Sequence, residues 1–122
     1  MIKKIGLLAA SVALIALAQV TLAVGEEKFS GNLLDVACAG RMAGNVDKAK
    51  AHKKSCALME NCQKSGFGIV TSDGKLLKFD ENGNKQALEL LNKTSKESDI
   101  VVEVTGTKDG DTLKVSKLTE KK

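Results

Sequence analysis

The chain has 122 residues, the size of one domain, with 43% hydrophobic and 28% charged side chains and a formal net charge of +4. It contains no Trp, no Tyr and three Phe, which excludes an aromatic stacking platform for bases or sugars. Its basic and acidic residues interleave instead of gathering into the basic stripe of a non-specific nucleic-acid binder.

The first segment reads as an export signal. Lys3 and Lys4 precede an apolar run from Ile5 to Ala18, and Ala16-Leu17-Ala18 and Thr21-Leu22-Ala23 both suit cleavage. Processing after residue 18 or 23 leaves 104 or 99 residues, and loss of the two lysines lowers the net charge to +2. No cysteine follows the apolar run closely, which speaks against a lipid anchor. No second long apolar run follows, so no membrane span is expected after processing. These features predict a periplasmic or secreted protein, with a signal peptide over 1–23 and one domain over 24–122.

Residues 29–36 alternate as a first strand, with Phe29, Gly31 and Leu33 on one side and Ser30, Asn32 and Leu34 on the other. Asp35 and Cys38 sit at its end. Ala39 to Gly44 reads as a small-residue loop. Asn45 is placed to N-cap a helix from Val46 to about Asn61, with Asp47 in its first turn, and Ser65-Gly66 ends that segment. Short strands over 67–71 and 75–79 flank a Ser72-Asp73-Gly74 hairpin connection. Asp80 to Gly83 reads as a second turn, and Asn84 to Lys93 as a helix carrying Ala87, Leu88 and Leu91 on one face. Strands over 99–107 and 111–118 enclose a turn at Lys108-Asp109-Gly110, and the last four residues are expected to fray. The result is a mainly β domain with helices, ordered strand, insert, strand, strand, helix, strand, strand. That is the order of a five-stranded OB-like barrel with a Cys/His helical insert at 37–66. A generic α+β sheet with one packed helix is the alternative.

The insert or its edge holds every cysteine and the only histidine of the chain, within 25 residues. Cys38 is followed after thirteen residues by His52, after three more by Cys56 and after five more by Cys62. On a continuous helix His52 and Cys56 are i and i+4, one turn apart on one face, with Met59 at i+7. Imidazole and thiolate both suit zinc and copper, and Cys38 or Cys62 would complete the shell. The thioethers of Met42 and Met59 would favour Cu(I) over zinc. The spacing matches no zinc-finger pattern, because there is no close Cys-x-x-Cys pair.

A disulfide is the competing use of these residues, since exported proteins mature where thiols oxidise and a staple contributes roughly 2–4 kcal/mol. Cys38 with Cys56 or with Cys62 would tie the insert to the first strand. Cys56 with Cys62 would need the helix to break near Glu60, because six residues of helix hold the Cα atoms about 9 Å apart. Any pairing leaves one thiol over. A thiol enzyme built on one cysteine and His52 is a third reading. Asp35 is near enough in sequence to Cys38 to orient His52, but no oxyanion hole is evident. Asp73-Gly74 and Asp109-Gly110-Asp111 read as turn chemistry, residues 80–84 lack the length of a calcium loop, and Lys48, Lys50, Lys53 and Lys54 read as a solvated face.

Four pieces together resemble small exported bacterial proteins of uncharacterised function with an OB-like barrel. They are Phe29-x-Gly31-x-Leu33-x-Asp35-x-x-Cys38; His52-x-x-x-Cys56 with Cys62 and Ser65-Gly66-Phe67-Gly68; Asp73-Gly74-Lys75 with Lys78-Phe79-Asp80 and Gly83-Asn84; and Val102-x-Val104-x-Gly106 with Gly110-Asp111-x-Leu113-x-Val115. Similar chains often carry a histidine soon after the first cysteine, where this one has Arg41 and Met42. The resemblance implies export and a barrel, and no activity. The reading that follows is an exported binding module for a soft or borderline metal. His52 and Cys56 would hold the metal with Cys38 or Cys62.

Overall fold

The computed structural model describes residues 26–121. The export signal expected over 1–23 lies outside them. Five strands are present: β1 Glu27–Asp35, β2 Phe67–Val70, β3 Leu76–Phe79, β4 Val101–Asp109 and β5 Thr112–Glu120. Four helical pieces, α1 Val36–Met42, α2 Val46–Ala51, α3 Lys54–Ala57 and α4 Glu60–Lys64, fill the connection from β1 to β2, and α5 Glu81–Lys93 links β3 to β4. The element order is the one expected from the sequence, and the fold is mainly β. No helix among the described residues is long and apolar enough to cross a membrane.

The strands form one mixed sheet in the order β1-β2-β3-β5-β4, and its ends meet because β1 also pairs with β4. Every pairing is antiparallel except β3 with β5. The first half of β1 pairs with β4 from Glu27 to Asn32, and its second half pairs with β2 from Asn32 to Asp35. Leu33, Ile69, Val102, Val104 and Leu113 fill the interior of the ring, and α5 lays Ala87 and Leu91 against them. Burying each such large aliphatic side chain contributes about 1.5–3 kcal/mol.

Two boundaries that differ from the sequence reading have a clear physical cause. The helix α5 starts at Glu81, not Asn84, because Asp80 caps it by accepting from Gly83 N–H. The expected turn over 80–83 is therefore the cap and first turn of a helix. Gly83 is required there: a Cβ would lie 2.6 Å from Val115 Cγ2 and 2.7 Å from Phe79 Cβ. At the other end of the domain the described residues 119–121 are paired and not frayed as expected. Leu118 to Glu120 pair with Val104 to Val102, and Lys121 N–H donates to Val101 O at 2.8 Å.

The first strand departs from strict alternation. Residues 31–35 are all buried, so both sides of the strand are covered there. Leu33 belongs to the ring interior, while Leu34 packs outside it with Ala39, Ala49 and Val70. The helical insert covers this outer face, so β1 has a core on each side and needs apolar residues on both. That second small core fixes where the cysteines stand.

Candidate metal centre

Asp35 ends β1 and opens α1. Its carboxylate is fully buried and caps the helix, with Cys38 N–H donating to Oδ2 at 3.0 Å. The helix replaces the loop expected over 39–44, because a capped start and the small residues Ala37, Ala39 and Gly40 let it lie close against β1 and β2. The other carboxylate oxygen, Oδ1, lies 2.9 Å from His52 Nε2.

His52 reaches Asp35 because the helix expected from 46 to 61 is broken there. Asn45 does cap α2, accepting from Lys48 N–H, but His52 and Lys53 are extended, at ψ 132 and ψ 142. Backbone bonds to a distant segment account for the break. Lys54 N–H donates to Glu97 O at 2.7 Å, Asp99 N–H donates to Lys50 O at 2.8 Å, and Lys53 and Ser98 form an isolated bridge. The chain from Thr94 to Asp99 thus clasps the insert from outside and turns the imidazole inward. A second break at Met59, also extended, separates α3 from α4. His52 and Cys56 are therefore neighbours through tertiary structure and not through an i, i+4 helical face.

The breaks bring donors together. A ring nitrogen of His52 and the sulfurs of Cys38 and Cys56 all lie within 4.8 Å of one another. Cys62 stands apart from that trio and forms a second group with Cys38 and Asp35, again within 4.8 Å. Cys38 is common to both groups. Three atoms no farther apart than 4.8 Å share a centre within about 2.8 Å, against bonds of about 2.3 Å for zinc to sulfur and about 2.0–2.1 Å to nitrogen. Side-chain rotations of about half an ångström would close such a shell.

The electrostatics follow from burial. Burial would raise the pKa of Asp35, but hydrogen bonds from Cys38 N–H and from the His52 ring outweigh it and hold the carboxyl below its ordinary 3.8. An ionised carboxylate only accepts, so His52 Nε2 carries the proton toward it and Nδ1 keeps the lone pair in the neutral ring. This is the carboxylate–imidazole arrangement that orients histidine ligands to metals. Burial, then the Asp35 charge, pushes the Cys38 thiol up, while Arg41 Nη2, donating to Cys38 Sγ at 3.6 Å, pulls the other way. Burial and Asp35 push the Cys62 thiol up to about 11. Both therefore rest as thiols near neutral pH, a poor state for a nucleophile and one that a bound cation reverses by displacing the proton.

All three cysteines are free. The staple expected from Cys38 is not formed, although Cys56 and Cys62 both lie close to it. Arg41 and the 94–99 clasp carry no signal in the sequence, because each acts on the site only through the folded chain. No family model matches the chain, and neither the curated proteins nor the solved structures provide a match to it.

Proposed function

We propose that the protein is an exported binding module that holds zinc or copper on Cys38, His52 and Cys56. The observation that carries this reading is the convergence of three donors within 4.8 Å, one of them an imidazole held by a buried carboxylate. Two thiolates and a neutral imidazole suit borderline and soft cations and not magnesium or calcium. In this reading Asp35 positions His52 without binding the ion, and Arg41 offsets part of the charge that builds up on Cys38.

The ring of strands, with its helix between the third and fourth and its long insert between the first and second, supports an OB-like barrel. OB-folds use that first connection for ligands. The leader-like segment before residue 24 supports the periplasm or the medium as its place of work.

Elemental analysis and a thiol count on the mature protein, with and without chelator, test the proposal. One equivalent of metal is expected, with Cys38 and Cys56 reactive only after chelation. His52→Ala should lose tight binding while keeping its circular dichroism. Unchanged metal content in that variant overturns the assignment, as does a single reactive thiol that chelator leaves unaltered, which would mean a disulfide.

A further inference from the structure

Two of the three donors, His52 and Cys56, open onto a cavity of about 580 Å³, while Cys38 lies buried behind them. His52 and Cys56 line it, together with Met42, Met59, Lys48 and Lys53. We propose that this cavity makes the centre selective for Cu(I), with the thioethers of Met42 and Met59 as further ligands at its mouth. The inference rests on the three-donor site above and adds the identity of the ion.

Three observations carry it. The chain has three methionines, and the two beyond Met1 both line this one cavity. Met59 is 58% exposed, the one large hydrophobic side chain so exposed among the described residues. It occupies the N-cap position of α4, makes no capping hydrogen bond and is a residue that folding does not favour there. Its side chain thus gains little from burial or from local structure, which leaves its sulfur as the group to explain.

The remaining lining points the same way. No carboxylate faces the cavity, so hard cations find no anionic oxygen there. Lys48 and Lys53, both exposed, contribute to its wall and bring positive charge near it, which by Coulomb's law repels a divalent ion twice as strongly as a monovalent one. Thioether sulfur binds Cu(I) and contributes little to zinc. Thiolate, imidazole and thioether together form a donor set that prefers Cu(I) on both charge and softness.

Competition against chromophoric chelators of Cu(I), under anaerobic reductant, and of Zn²⁺ tests this on the mature chain. Met59→Leu, at an exposed position, keeps the test independent of folding, and the Met42→Leu/Met59→Leu double variant extends it. The expected result is a Cu(I) affinity lowered by about tenfold or more in the double variant, in part already in Met59→Leu, with Zn²⁺ affinity unchanged. The Met59 methyl resonance should also shift when Cu(I) is added to the wild type. Equal losses for both metals, or no loss for either, overturn the thioether role and leave the three-donor site standing. Failure of the wild type to take up either metal overturns the site itself.

Discussion

His52 Nε2 lies 2.9 Å from Asp35 Oδ1, with side-chain exposures of 5% and 0%. The pair joins the end of β1 to the break between α2 and α3, so one carboxylate both caps a helix and orients a ring. Replacing it by Asn keeps the shape and removes the charge. Asp35→Asn should lower metal affinity by about 10–100-fold, the usual cost of losing a partner that orients a histidine ligand. Competition titration against the wild type reads this directly.

The same carboxylate predicts an acid transition. Its folded pKa lies below the ordinary 3.8, so the ionised form is the one the fold stabilises. That contribution is complete above the unfolded value near 3.8 and is lost as pH falls through the folded one. Urea midpoints of the metal-free protein should therefore drop between about pH 5 and pH 2. Asp35→Asn should start lower and show a flatter slope over that range.

Thiol chemistry should be slow. Cys62, with its pKa pushed up to about 11, and Cys38, raised by burial and by Asp35, should alkylate far more slowly than a free thiol at pH 8. Asp35→Asn should speed both, because it removes the negative charge facing them. Peptide mass mapping after timed iodoacetamide exposure separates the two cysteines.

The two cores should be separable. Leu113→Ala empties the ring interior and Leu34→Ala the core under the insert, each at a cost of about 2–5 kcal/mol. Only Leu34→Ala should also weaken metal binding in the fraction that stays folded, because Ala39 and Ala49, which flank Cys38 and His52, rest on it. Denaturant unfolding together with a metal titration on both variants checks this.

Gly83→Ala should destabilise the protein by about 1–3 kcal/mol despite its better helix propensity, since the added methyl meets Val115 and Phe79 at less than 3 Å. Thermal unfolding gives the sign.

Much of the architecture is legible along the chain because it is written in local patterns. Alternation marks β4 and β5, Asp-Gly and Lys-Asp-Gly mark the hairpins, Asn45 marks the start of α2, and the clustering of three cysteines with one histidine marks the site. Local pattern fails where partners are distant in sequence. A regular helical reading continues through His52 because nothing nearby forbids it. The break appears only once Glu97 O receives Lys54 N–H and Asp99 N–H reaches Lys50 O. Likewise Asp35 is one acidic residue among fifteen until burial removes water and leaves Cys38 N–H and His52 as its partners. By itself, then, the sequence determined the order of elements and the list of donors. Tertiary structure alone decided which donors meet, because their meeting depends on backbone hydrogen bonds and a buried charge contributed by segments far apart in the chain.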